Sequence, residues 1–462
     1  MDTLAQPFFE LERRPEDVLW DVVERHLEEA AFFWGQWARH LFTSDFTLTA
    51  LEERLESRLL AHLQGLVVGG APVAERLLLP LLDLEEDAVE EEPLRVSAGA
   101  RALLDGWSEP AASAVFESFA RAGPRLRSAL QRALELSERP DVARRLGPLL
   151  VDGGPEVQSA VLEVLAFREE EPQASLDAFL LGDEPRVALA ALHLLEALPQ
   201  LPFKAEVLRK LLTHPTLRES AIAVGLLRGH REAWTQCSQL VAAREPCERS
   251  LYVWTSLLGG REDLRKLLEC LGTPRLRGDV LWALGFSGRV EAVDACAELL
   301  GDKRQGRIAA EALCAITGLE LEEQFTREPS DDGPEEPVPL EEDELDADLS
   351  LSPEASLPEP DPEAVREWWR TQRSRFDVRT RYLGGKPLSG EVLLGALETA
   401  PMRRRHVLAR QLALGSRGAF RLNTLASTRR QRRQLTRLKE LVAASGRATD
   451  SWKPEPWRHH DD

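Results

Sequence analysis

Few residues in this chain have the types and spacing that chemistry requires. Gly384-Gly-Lys386-Pro387 has the look of a phosphate loop. A working loop needs a fixed upstream glycine spacing, a Ser or Thr after the lysine to reach Mg²⁺, and a strand leading in. Here the glycine spacing is wrong, Pro387 takes the hydroxyl position and no buried strand precedes it. His459-His460-Asp461-Asp462 carries metal-ligating types, yet a terminal run of polar residues reads as a solvated tail. The five cysteines, Cys237, Cys247, Cys270, Cys296 and Cys314, contain no CxxC and fall at helical positions, as small buried hydrophobes do. His62 sits on the apolar side of a helical pattern with no second ligand spaced near it, which predicts a packed histidine. Motifs of the HExxH, GxSxG and EF-hand kinds are absent, and no carboxylates are paired for acid–base work. The expectation is therefore no catalytic residue, no cofactor, no metal and no small-molecule substrate. Two arginine clusters are left: Arg403, Arg404 and Arg405, and then Arg429, Arg430, Arg433 and Arg437. Arginines bind carboxylates and phosphates bidentately, so these seven form a candidate patch for an acidic partner or anion. No aromatic platform for stacking bases is interleaved with them.

The elements that would position such a patch are set by a repeat. Pro155-Glu-Val157, Pro185-Arg-Val187, Pro215-Thr-Leu217 and Pro274-Arg-Leu276 share one phrase, and Pro246-Cys247 is a shifted copy. The anchors Val157, Val187, Leu217, Cys247, Leu276 and Gln305 are about 30 residues apart, the period of stacked supersecondary units. From each anchor, apolar or small residues recur at +3, +4, +7 and +8, the stripe of an amphipathic helix. Proline fits the first helical position, where its missing N–H costs nothing. Gly229, Gly259-Gly260 and Gly288 mark helix ends, where glycine takes a left-handed cap cheaply. Each period thus predicts two helices that cannot bury their stripes alone and must stack on neighbours.

The copy TPRLRGDVLWALGFSGRVEAVDACAELL at 273–300 resembles a HEAT-like repeat of the short kind, and the resemblance covers about 124–316. It implies a fold and no chemistry. The opening resembles something more particular. His26-Leu-Glu-Glu-Ala-Ala-Phe-Phe-Trp34, and the stretch from Leu51 through Arg54 and His62 to Gly65, are similar to the N-terminal signature of an uncharacterised bacterial family. Its members carry HEAT-like repeats and are often encoded with type VI secretion clusters. That family has Asp where this chain has Gln64. The resemblance extends to a closing segment around Arg381-Tyr-Leu-Gly-Gly-Lys-Pro387, and it implies secretion-system components as partners.

The predicted fold class is all-α. Residues 1–123 form an N-terminal helical bundle, with helices at 15–42, 47–68, 97–105 and 111–121. Residues 124–325 form a HEAT-like α-solenoid, 326–362 an acidic, Pro-rich, disordered linker, and 363–462 a basic helical segment. On the first helix Val18, Val22, Leu27, Ala30, Ala31, Trp34, Ala38 and Leu41 mark the apolar side. The net charge of −20 is uneven. Residues 1–326 carry 35 basic and 54 acidic side chains, 327–363 carry 1 and 15, and 364–462 carry 22 and 9. Most of the chain would therefore repel nucleic acid, while the acidic linker could dock on the basic end. No apolar run approaches a membrane span, and the start lacks the pattern of a signal peptide. With cysteines read as unpaired, the expected place is a reducing cytoplasm. The function expected is a non-enzymatic scaffold or adaptor that binds protein. A nucleic-acid-binding protein using the C-terminal arginines, and an enzyme whose site folding alone assembles, are the alternatives.

Overall fold

The structure is a computed structural model, and it describes residues 14–106, 108–327, 354 and 356–444. The opening residues 1–13, most of the acidic stretch (328–353 and 355) and the tail from 445, with His459 and His460, lie outside the described residues. The described chain is all-α; its one sheet is a two-residue hairpin. No single helix among the described residues is long and apolar enough to cross a membrane. Two compact units are present. The first comprises Met1–Leu41, Leu48–Ala233 and Arg417–Arg437, and the second Phe42–Thr47, Trp234–Ser416 and Leu438–Asp462. The division falls inside the 124–325 stretch, and part of the basic segment belongs to each unit.

In the first unit the helix Trp20–His40 packs on the helices Ser57–Val68 and Pro93–Asp105. Its buried stripe is Val23, Leu27, Ala30, Phe33, Trp34 and Trp37, with Leu41 just beyond. Val22, expected inside, is 48% exposed. The two indoles fix the rotation of the helix, and Val23 rather than Val22 then falls beneath them. The next helical stretch, Leu48–Val68, widens into a π turn at Glu52–Glu56, and the chain bends sharply before Gly70–Asp83.

Further helices follow along the chain. Helices Pro155–Arg168, Pro185–Ala197 and Arg218–Leu227 pack in series within the first unit. Arg249–Leu258, Arg277–Leu284 and Gly306–Thr317 do so within the second. Pro155 and Pro185 occupy the first helical turn, as the phrase requires, whereas helices after Pro215 and Pro246 start three residues later. Gly229 and Gly288 take positive φ, at 75° and 67°. Gly259 does not (φ −67°); a Cβ there would lie 2.4 Å from the Thr255 carbonyl oxygen, so close approach explains the glycine.

The Gly-Gly-Lys-Pro stretch is a hairpin. Tyr382 pairs with Pro387 and Leu383 with Lys386 around Gly384 and Gly385, both at positive φ. This is the primed turn that glycine pairs favour. The glycine amides donate to the carbonyls of Ala315 (2.8 Å) and Ile316 (2.9 Å), which end the helix Gly306–Thr317. They serve a helix C-terminus, so they are not a phosphate cradle. The two glycines should therefore respond differently to alanine. Gly384→Ala meets nothing within 4 Å and should cost about 1–2 kcal/mol, from φ alone. Gly385→Ala would place Cβ 2.6 Å from the Thr317 carbonyl oxygen and should cost distinctly more in urea unfolding. Equal losses would contradict this placement.

Candidate functional site

Three of the seven arginines of the candidate patch lie inside the second unit. Arg403 and Arg404 are 5% exposed and Arg405 is fully buried. Arg403 donates to Glu354 (2.8 Å) and lies over the Trp282 ring. Arg404 donates to the Gly285 carbonyl (2.8 Å) and covers the Phe286 ring. Arg405 donates to the Leu397 carbonyl (2.6 Å). Expected as a surface patch, these three are corrected to internal struts: helix-end carbonyls, aromatic faces and buried carboxylates hold them inside. In the first unit Arg430 donates to the Arg168 carbonyl (2.8 Å), Arg429 and Arg433 both pair with Glu138, and Arg437 is exposed.

A common cause accounts for part of the basic C-terminal charge. The last carbonyls of every helix lack intrahelical donors and carry the negative end of its dipole. In the first unit the helix Pro155–Arg168 ends on Glu169, a left-handed residue (φ 59°). Asn423 donates to the Phe167 carbonyl (2.7 Å) and Arg421 to that of Glu196, while Arg421, Arg430 and Gln434 gather on the Glu169 carboxylate. In the second unit Arg366 donates to the Ala297 carbonyl (2.8 Å). Arg381 donates to those of Ser256, Leu257 and Gly259 at 3.0, 2.6 and 3.1 Å. Burial pulls the Arg381 pKa down to about 9. Arg168 and Arg228, further back in the first unit, use the same device. Part of the positive charge at 364–437, Arg366, Arg381, Arg404, Arg405, Arg421 and Arg430, is thus spent on helix carbonyls. Of the acidic stretch, Glu354 pairs with Arg403 and Arg249, and Glu359 with Arg307 and Arg327.

The residues of the N-terminal signature are brought together only in part. Trp34 is core, at 1% exposure, and Arg54 is exposed. The two histidines meet: His26 Nδ1 and His62 Nδ1 are 3.0 Å apart, and the His62 ring stacks on Phe33. Gly65 makes room for this, since a Cβ there would lie 2.7 Å from the His26 ring. The sequence shows no partner for His62 because thirty-six residues separate it from His26. Among the described residues no group of three His, Cys, Asp or Glu could hold a metal ion. One ring must donate and the other accept, so the pair cannot keep its bond with both rings protonated. Burial first, then the charge of His62, lowers the His26 pKa from its ordinary 6.5. A base with a lowered folded-state pKa binds fewer protons folded than unfolded. Its contribution is present above pH 6.5 and lost as pH falls towards the folded value. Urea midpoints should therefore drop between about pH 7 and pH 5, with a shallower slope in His26→Gln. Parallel slopes would contradict the pairing.

Another assembly in the first unit was not visible in the sequence. The π turn points Glu56 inward, where it accepts from Trp37 Nε1 (2.9 Å) and from the Thr428 amide and hydroxyl (2.8 and 2.9 Å). Glu56 is 4% exposed, and burial raises its pKa despite these three donors.

A large concavity lies wholly in the second unit, a cavity of about 1640 Å³. One wall is the helix Gly306–Thr317, through Arg307, Glu311, Cys314 and Ala315; the facing wall is Gly390–Thr399, through Val392, Gly395, Ala396 and Thr399. Leu319, Leu321, Leu357, Leu383 and Leu408 complete a mostly apolar lining. Ser389 caps the second wall by accepting from the Val392 amide (3.2 Å). Burial pushes the Cys314 thiol up to about 12, which favours its protonated form. Glu311 is 9% exposed at its side chain. Its nearest cations are Arg403 Nε at 3.6 Å and Arg404 Nη1 at 3.9 Å, and among the described residues neither carboxylate oxygen, nor Arg404 Nη1, has a hydrogen-bond partner. Desolvation raises the Glu311 pKa against the pull of both arginines. The chain shows no significant match to any family model, curated protein or solved structure.

Proposed function

We propose that this protein is a non-enzymatic adaptor built on a HEAT-like solenoid, and that the cavity of the second unit is where it holds a partner protein. The cavity is the observation that carries this reading. Small-molecule pockets run to about 300–1,000 Å³; this one is larger, its lining is mostly apolar, and its one thiol, Cys314, is held towards the protonated form. The stacking reading is supported by the recurrence, every 28–33 residues, of helices that pack like on like within each unit. Secretion-system components as partners, and a cytoplasmic setting, rest on the family resemblance and on the five free cysteines. A nucleic-acid groove is the weaker reading, because the arginines it would need are engaged with helix carbonyls and carboxylates.

Gly395 supplies the test. It is exposed on the cavity wall with nothing within 4 Å of a Cβ, so Gly395→Trp fills the cavity without burying strain. Affinity purification from native cells should recover at least one protein with the wild-type chain and lose it with Gly395→Trp. Identical recovery from both would remove the cavity from the account.

A further inference from the structure

We infer that the cavity of the second unit seats this chain's own C-terminal stretch, with Trp452 and Trp457 inserted between its walls. The inference concerns the same cavity as the adaptor reading but does not depend on it; a partner protein would enter by displacing the stretch. Connectivity is the first argument. The helix Thr428–Ala444 ends at the cavity, which Lys439 and Val442 on its last turns help to line. Residues 445–462 continue from that point. Trp452 lies ten residues beyond Val442, a reach of up to about 33 Å. The wall Gly390–Thr399 is ten residues of helix, about 15 Å long. Tethered at the rim, the stretch is present at roughly millimolar effective concentration, so a modest contact is enough to fill the site.

Composition is the second argument. Residues 445–462 hold two of the eleven tryptophans, and no tryptophan among the described residues is exposed. An indole brings a large apolar area and one N–H donor. The cavity offers aliphatic faces at Leu319, Leu357 and Leu408, and acceptors in the exposed carboxylates of Glu320 and Glu391. Spacing is the third. In Trp452-Lys-Pro454-Glu-Pro456-Trp457 the prolines fix φ and hold the residues before them extended. Along a polyproline II backbone the two indoles stand about 15 Å apart, the length of that wall, and three residues per turn put them on different faces. A stretch so restricted loses little conformational freedom on docking. Nothing lies within 4 Å of a Cβ at Gly395, so a ring has room against the wall there.

The probe is a fluorescein-labelled peptide of residues 445–462, titrated against full-length chains. In the wild type the chain's own stretch competes with it. The peptide should therefore bind the Trp452→Ser, Trp457→Ser chain at least tenfold more tightly than the wild type, and adding Gly395→Trp to that chain should abolish binding. In the dilute wild-type protein a benzophenone side chain at position 457 should crosslink within the chain, to peptides from 306–321 or 390–399. Neither the comparison of tails nor the adduct depends on how Gly395→Trp folds. Equal affinity for wild type and tail variant, binding indifferent to Gly395→Trp, or an adduct mapped elsewhere would overturn the inference and leave the adaptor reading intact. So would a concentration-dependent dimer abolished by the tail substitutions, which makes the occupant the stretch of a second copy. Saturable binding of dodecylphosphocholine monomers, equal in wild type and tail variant and lost in Gly395→Trp, would make the occupant an acyl chain and overturn it too. Cellular capture indifferent to Gly395→Trp, with the peptide behaving as expected, would remove the adaptor reading and keep this one.

Discussion

Arg381→Met is expected to destabilise the second unit by about 2–4 kcal/mol. The guanidinium meets three carbonyls at the end of the helix Arg249–Leu258 and is the sole side chain found on the Leu257 and Gly259 oxygens among the described residues. Methionine keeps the aliphatic stem and removes every donor. Each carbonyl left unmet costs about 1–3 kcal/mol. The desolvation of a part-buried cation, visible as a pKa drawn down to about 9, is relieved by the same change and offsets some of that loss. Hydrogen exchange at Arg249–Leu258 should accelerate along with the lower urea midpoint. A loss below about 0.5 kcal/mol, the range of an ordinary surface substitution, would mean that the basic segment does not cap this helix.

Glu56→Ala should have the largest effect in the first unit, about 3–5 kcal/mol, because it leaves three buried donors on Trp37 and Thr428 without an acceptor. Those donors lie far apart in sequence, so the loss should also free Arg417–Arg437 from the N-terminal helices of its own unit. Proteolysis within that segment should quicken. The pH dependence has a definite sign. The Glu56 pKa is raised above its ordinary 4.5, so the folded state holds the proton more tightly than the unfolded chain. Stability from this group is present at low pH and declines as pH rises from 4.5 through the folded value. Glu56→Gln should remove that component, so the difference between wild type and variant should narrow as pH rises. A difference constant with pH would contradict a buried, titrating Glu56.

How much of this could be read in the sequence differs by element. The helices were legible because apolar stripes at 3–4-residue spacing after Val157, Val187, Leu217 and their successors can be read without coordinates. The rotation of Trp20–His40 was legible only to within one residue; Val22 and Val23 are equally apolar, and the packing of Trp34 and Trp37 chooses between them. The arginines misled for a physical reason. A cation bonded to a helix-end carbonyl and one held out for a phosphate have the same composition and spacing. What separates Arg404 from Arg437 is whether folding brings a helix C-terminus within reach. The His26–His62 pair and the Glu56 assembly needed contacts across 36 and 372 residues. Glu56 also needed a π turn, which has no strong sequence mark. The cavity is a property of walls drawn from distant segments, and Glu311 reads in sequence as one more charge on an amphipathic helix.

Photo-crosslinking in native cells tests the proposed binding site most directly. A benzophenone side chain replaces Thr399, exposed on the cavity wall, with Val151, 76% exposed in the first unit, as the reference position. The cavity reading predicts a specific protein adduct from position 399, mapped by mass spectrometry to a helical segment and abolished when Gly395→Trp fills the space. An adduct from 399 no stronger than from 151, or one that persists in the Gly395→Trp chain, would contradict it.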